Sequence, residues 1–214
     1  MIAQVADYSA EQGILRNNGQ PNAIDDILAG TSSAGMSTDD FENYIADFPA
    51  GHVQYGGSKD FCAEIDPLRE LSIAEAFTVM INAEIAAGNT PDYYDTTPSS
   101  QIMQTTIDFN YSGRSWTYQY CTEFGFFQTP SKMHKMRPFQ VDVAYWRDLC
   151  QTVFPGLDYS QYPTIAYTES VYGGGNKMQG TNIFFTNGSE DPWQWVTQLQ
   201  DRPEINQRSR VSEC

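Results

Sequence analysis

Signals for short amphipathic helices dominate the first half of the sequence and constrain its fold most strongly. The clearest begins at Ser72, where a serine followed three residues later by Glu75 makes a capping box. The residues that then recur at helical spacing are Phe77, Met80, Ile81 and Ile85. Gly88 follows where a left-handed stop is expected. These signals predict a helix with one apolar face.

Three weaker patterns in the first half point the same way. Residues 21–28 carry apolar side chains at helical spacing and are followed by Gly30, a common helix stop. Ser37 precedes another such pattern, and a further helix is predicted over residues 99–107. Residues 88–98 are rich in turn-forming residues and are predicted to be a connector. The first half is therefore predicted to consist of short helices.

The second half contains a segment that is typical of a buried strand. Residues 181–185 hold a compact apolar run that a turn closes at once, and Pro192 then opens a predicted helix. An earlier helix is predicted from Val143, Trp146, Cys150 and Val153. A buried strand, a tight loop and a helix form half of a βαβ unit. The order predicts an α/β fold, with a helical region over residues 1–105 and an α/β region over residues 106–214.

The charge of the chain excludes several classes of function. The 214 residues include 12 Lys and Arg against 27 Asp and Glu, which gives a formal net charge of -15. Such a surface does not follow the phosphates of nucleic acids, and anionic membranes repel it. No stretch approaches the roughly 18 consecutive apolar residues of a membrane-spanning helix. The expected partners are therefore neither nucleic acid nor the membrane interior.

The cysteines and glycosylation motifs suggest an oxidising compartment, although the first residues show no signal peptide. The glycosylation acceptors are Asn110 and Asn187. The cysteines are Cys62, Cys121, Cys150 and Cys214, which allow three pairings if all form internal bonds. They could equally be small buried apolar residues. The signs of an oxidising compartment and the missing signal peptide agree if the chain is a piece of something longer.

Asp191 is the acidic residue with the most informative position. It follows the predicted strand at its C-terminal end and precedes Pro192, so its carboxylate can cap the next helix. Alternatively, it could orient a histidine as the acid of a catalytic triad. The two histidines, His52 and His134, both precede it, against the Ser–acid–His order of α/β-hydrolases. His52 is predicted to lie in a loop, and both histidines are interpreted as surface residues.

Motifs for other chemistries are absent from the sequence. Residues 30–35 come closest to a G-x-S-x-G nucleophile elbow, but their spacing differs and they follow a helix instead of a strand. The sequence has no G-x-G-x-x-G loop, Walker loop, H-E-x-x-H or C-x-x-C motif, nor an acidic calcium loop. Neither a cofactor nor a metal ion is therefore predicted.

Four ordered segments resemble one family of serine peptidases. Residues 116–126 match the family's W-x-x-Q-x-C-T-E-F-G-F string, and residues 182–193 match its N-I-x-F-x-N-G-x-x-D-P-W loop. Residues 53–56 with Cys62 resemble V-Q-Y-G…C, and residues 172–174 resemble Y-G-G. The family is that of lysosomal Pro-X carboxypeptidase, dipeptidyl peptidase II and thymus-specific serine protease. The thymus-specific version of the C-T-E-F-G-F string is most similar.

The resemblance implies the C-terminal part of an α/β-hydrolase fold preceded by a helical cap insert. It implies a serine exopeptidase that acts on peptides with proline or small residues near a terminus, without a cofactor. Asp191 matches the triad acid, and Cys121 and Cys150 match a family disulfide. The positions that match the apolar specificity pocket are Trp116, Phe126 and Trp193. Glu123 lies beside these positions in sequence, with no assigned role.

The resemblance leaves the serine and the histidine of the triad without counterparts. The first hypothesis is a partial serine exopeptidase, carboxypeptidase or dipeptidyl peptidase, whose 214 residues are inactive alone. Its full-length parent would be a lysosomal, vacuolar or secreted glycoprotein. The second hypothesis is a non-catalytic descendant that binds peptides without cleaving them. The sequence does not choose between amino-terminal and carboxy-terminal substrates.

Overall fold

A computed structural model describes residues 1–131, 137–157 and 163–213. His134 and Cys214 therefore lie outside the described residues. The helices are α1 (Ile2–Asn17), α2 (Ala23–Leu28), α3 (Thr38–Gln54), α4 (Ser58–Ile65), α5 (Ile73–Ala86), α6 (Gly113–Gln119), α7 (Val143–Val153) and α8 (Pro163–Tyr172). The strands are β1 (Ile183–Gly188) and β2 (Gln207–Ser212). Short 3-10 turns connect many of these elements.

Local capping explains why several predicted helices form where they do. The Ser37 hydroxyl accepts a hydrogen bond from the Asp40 N–H at 3.0 Å and begins α3. Ser72 and Glu75 form the predicted capping box at the start of α5. The Asp142 carboxylate caps α7 by accepting from the N–H groups of Ala144 and Tyr145. The predictions for α2, α3, α5 and α7 are therefore confirmed.

Helices α1, α2, α3 and α5 enclose the larger apolar core. Phe41, Tyr44 and Phe77 are almost fully buried, and the ring centroids of Phe41 and Phe77 lie 6.4 Å apart. The sequence patterns did not predict α1. Its buried residues are small or polar and leave a weak apolar stripe: Val5, Ala6, Ser9, Gln12 and Gly13.

Two predicted helices are wrong. Residues 99–107 form only a 3-10 turn at Gln101–Met103, and Ile107 is 80% exposed. Ile102 packs into the second core, but the last turn of the predicted helix finds no such surface, so helical spacing alone is insufficient there. The helix predicted from Pro192 is also a single 3-10 turn, Pro192–Val196. His52 lies in α3 instead of the predicted loop. The helix continues through Pro49 to reach it.

The predicted strand is confirmed as β1, which pairs in parallel with β2 from Ile183 opposite Gln207 onward. No residue of β1 is fully buried and Phe184 is 61% exposed, so the expectation of a buried strand is wrong. Helix α7 contributes most of a second core, which includes Val141, Trp146 and Leu149. Helices and parallel strands together fit the α/β class. The boundary near residue 105 stays a prediction.

Candidate functional site

A cavity of about 990 Å³ lies between α3, α6, α7 and the turn that follows β1. Trp116, Phe126 and Trp193 all line it, although they come from segments far apart in sequence. The structure therefore brings together the three residues that the resemblance assigns to an apolar pocket. Its volume suits a small peptide or drug-sized ligand.

The three aromatic rings form one wall of this cavity. The Trp193 ring centroid lies 5.9 Å from that of Trp116 and 6.3 Å from that of Phe126, both in edge-to-face arrangements. Trp116 is 38% exposed and Phe126 is 36% exposed. Unlike the rings of the core, these rings therefore keep apolar surface free for a ligand.

A turn with positive backbone φ angles sets the position of Phe126. The chain passes from α6 into a single π-helical turn, Tyr120–Phe124, and then takes positive φ angles of 77° at Gly125 and 27° at Phe126. Positive φ is unfavourable for a residue with a side chain such as Phe126. The turn is fixed because Cys121 forms a disulfide with Cys150 of α7. The pairing implied by the resemblance is thus present.

Replacing Gly125 with alanine is expected to destabilise the protein by about 1 kcal/mol or more. Alanine disfavours φ of 77°, and its Cβ would approach Ile165 at 3.4 Å. Urea denaturation measures the effect. Gly19→Ala also has positive φ but open space, and separates backbone strain from crowding. Gly156→Ala has neither problem. Equal stability of the Gly125 and Gly156 variants would contradict the prediction.

Asp191 and Gln54 hold Trp193 at its two ends. The Asp191 carboxylate accepts a hydrogen bond from the Trp193 backbone N–H at 2.9 Å. The indole Nε1–H donates to Gln54 Oε1 at 2.6 Å. Asp191 therefore makes the capping contact foreseen from the sequence. Within the described part of the chain, no histidine contacts its carboxylate.

A histidine–carboxylate pair forms another part of the cavity wall. His52 Nε2 lies 2.9 Å from Glu84 Oε1, and Asn89 donates to the other Glu84 oxygen at 2.7 Å. The His52 ring also stacks on Phe61 with centroids 4.5 Å apart. The His52 side chain is nevertheless 26% exposed, so it lies at the surface of the cavity while these contacts hold it. Its partner Glu84 lies 32 residues away, and no local motif marks the pair.

Two phenols close the cavity beside this pair. Burial raises the pKa of Tyr44, and the charges on Glu84 and Asp92 raise it further. Burial and the Asp47 carboxylate act on the pKa of Tyr94 in the same direction. Both phenols therefore stay protonated and act as donors, Tyr44 to the Asn89 carbonyl at 2.7 Å and Tyr94 to Asp47. These contacts fix the connector that runs past α5.

The described residues contain no group of three His, Cys, Asp or Glu side chains that could hold a metal ion. Of the helices in the described ranges, none has both the length and the apolar character needed to cross a membrane. Asn110 is exposed in a turn, whereas Asn187 is half-buried and donates to the Gln198 carbonyl at 3.5 Å. Glu123 is exposed and lies outside the cavity wall.

Residues 37–208 match the family model of serine carboxypeptidase S28. The chain belongs to the S28 family. This match covers all four motifs and confirms the resemblance inferred from them. Relatives of the chain are named as serine proteases.

Individual relatives match over shorter segments. Probable serine protease EDA2 of Arabidopsis thaliana is 36% identical over 104 residues, which are 49% of this chain and 20% of that protein. The thymus-specific serine proteases of Mus musculus and Homo sapiens are each 37% identical over 94 residues, 41% of this chain and 17% of theirs. The matched segment thus spans about a fifth of these relatives. No solved structure matches the chain.

Proposed function

We propose that this S28 chain is part of a serine-type exopeptidase whose cavity binds peptides with proline or a small residue near one terminus. The observation that carries the proposal is the wall formed by Trp116, Phe126 and Trp193 in one cavity. A proline ring offers rigid apolar surface and few polar groups, so aromatic faces are suitable contacts for it.

Asp191 is assigned the role of the triad acid, because it lies at the C-terminal end of β1 and matches the family's D-P-W loop. The nucleophilic serine and the histidine base have no counterpart in the motifs of these 214 residues. The proposal places them in a segment outside this sequence. Because triad residues act as a unit, the 214 residues alone would then bind peptides without hydrolysing them.

The proposed compartment is lysosomal, vacuolar or extracellular. The Cys121–Cys150 disulfide supports an oxidising route, and the exposed Asn110 offers a glycosylation site. Within α3, burial raises the pKa of Asp40 and of Glu42, so both carboxyl groups are more easily accommodated at acidic pH. At these two positions, acidic conditions therefore favour the folded state.

Calorimetry with the 214-residue chain tests the proposal. Ala-Pro-Ala should bind more tightly than Ala-Glu-Ala, whose carboxylate the aromatic wall would desolvate. Trp193→Ala should weaken binding of Ala-Pro-Ala about tenfold or more, the loss of a buried aromatic anchor. Trp195→Ala is the matched control, since Trp195 is 70% exposed and outside the cavity wall.

Four results would count against parts of the proposal. No preference for Ala-Pro-Ala, or equal effects of the two tryptophan variants, would contradict the pocket. Chromatography of the same mixtures shows whether the peptides are cleaved. Cleavage by the purified chain would contradict the assignment of serine and histidine to another segment. Absence of cleavage in a longer chain that carries both residues would favour the non-catalytic alternative.

A further inference from the structure

We propose that Gln54 is a positioning residue that fixes the indole of Trp193 in the cavity wall; its consequence for peptide binding rests on the proposed function. Gln54 ends α3 and lies 139 residues before Trp193. Both residues line the cavity. The contact therefore joins the V-Q-Y-G segment to the D-P-W loop, two motifs with no sequence relation.

The chemistry of the contact is directional. An indole nitrogen is a donor only, and a half-buried one needs an acceptor in place of water. Gln54 Oε1 supplies it at 2.6 Å. This contact also determines the orientation of the glutamine amide, because its NH₂ group could not accept the indole proton. A side chain of the same shape without the oxygen would leave the indole N–H unpaired.

The hydrogen bond to Gln54 restricts the indole ring of Trp193, whereas the contact with Asp191 restricts only its backbone. Asp191 holds the Trp193 backbone N–H, which leaves the side-chain torsions free to turn. Gln54 removes that freedom and keeps the ring edge-to-face against Trp116 and Phe126. Ser58 of α4 also donates to Glu190 at 2.5 Å, so the helical region contacts this loop at two points.

The geometry of the aromatic wall therefore depends on α3 as well as on the turns that carry the rings. A peptide that packs against Trp193 would meet a ring already held in place. Pre-organisation of this kind increases affinity because less side-chain freedom is lost on binding. Without the Gln54 contact, the same ring would have to be ordered by the ligand.

The test uses Gln54→Leu, Gln54→Glu and the control Gln151→Leu in the 214-residue chain. Leucine removes the acceptor at similar volume, glutamate keeps one, and Gln151 is an exposed residue of α7 outside the cavity wall. The readouts are the Trp193 indole N–H resonance, assigned with Trp193→Phe, and the dissociation constant of Ala-Pro-Ala. The resonance is measured without peptide, so it reports on the contact alone.

Gln54→Leu should move the Trp193 indole resonance upfield and weaken the binding of Ala-Pro-Ala about tenfold. Gln54→Glu should leave the Trp193 resonance in the range of a hydrogen-bonded indole. It should also retain most of the affinity for Ala-Pro-Ala. Gln151→Leu should change neither the resonance nor the affinity. An unchanged resonance, or a shifted resonance with unchanged affinity, would overturn the proposal. If the wild-type chain binds no peptide, the proposed function fails, whereas the resonance still decides the contact.

Discussion

Replacing Cys121 and Cys150 together with alanine is expected to lower the free energy of unfolding by about 3–4 kcal/mol. The disulfide closes a loop with a sequence separation of 29, and both residues are almost fully buried. Without the bond, the unfolded chain regains the freedom that the loop had lost. Urea denaturation of the variant and of the oxidised wild type measures the difference.

The matched control for this experiment is Cys62→Ala. Cys62 is an exposed free cysteine of α4, so its replacement should change stability by no more than about 0.5 kcal/mol. The disulfide also anchors the turn that carries Phe126, and its loss should therefore weaken peptide binding as well. A double variant as stable as the wild type would show that the bond does not contribute to stability.

Glu42→Gln is expected to stabilise the protein by about 3 kcal/mol at pH 7 and by less than about 1 kcal/mol at pH 4.5. Burial raises the pKa of Glu42 to about 8 from an ordinary 4.5, and the nearby Asp39 charge adds to this shift. The Ser9 hydroxyl donates to Oε1 at 3.1 Å, while Oε2 has no partner among the described residues.

The direction of this pH dependence follows from whether the folded or the unfolded chain holds the Glu42 proton at a given pH. Below pH 4.5 the folded and unfolded chains both keep the Glu42 proton, so the group adds no penalty. As pH rises from 4.5 to about 8, the unfolded chain releases the proton and the folded chain retains it. Stability is therefore lost through this window, and glutamine, which cannot ionise, removes the loss.

Urea denaturation of Glu42→Gln and wild type at both pH values measures the effect. The control is Glu11→Gln, an exposed carboxylate of α1, which should leave stability within about 0.5 kcal/mol at each pH. A parallel pH dependence of the wild type and the Glu42 variant would contradict the account. It would mean that the buried carboxyl group titrates at its ordinary pKa.

Features that depend on nearby residues could be predicted from the sequence. The Ser37 and Ser72 caps are side-chain contacts to backbone three residues away, so their patterns are visible locally. The helix predicted over residues 99–107 is wrong because helical spacing does not show which side chains will be buried: Ile102 is buried, whereas Ile107 is exposed. Helix α1 was missed for the opposite reason, since tertiary packing buries its small and polar face.

The features of the candidate site also divide into those that the sequence predicts and those that it does not. Motif resemblance identified Trp116, Phe126 and Trp193, and the structure shows that they meet in one cavity. The contacts that hold the cavity together are long-range, and no sequence spacing encodes them. Gln54 belongs to the V-Q-Y-G motif, but its role depends on a contact with Trp193, which lies 139 residues later in the sequence.

The central claim is that the aromatic wall binds a prolyl peptide, and the indole N–H resonances of the four tryptophans test it most directly. Adding Ala-Pro-Ala to the ¹⁵N-labelled chain should shift the resonances of Trp116 and Trp193, which face each other across 5.9 Å. Trp195, exposed and outside the wall, should not move. A saturating titration with no shift at Trp116 and Trp193, or with a shift at Trp195 alone, would contradict the account.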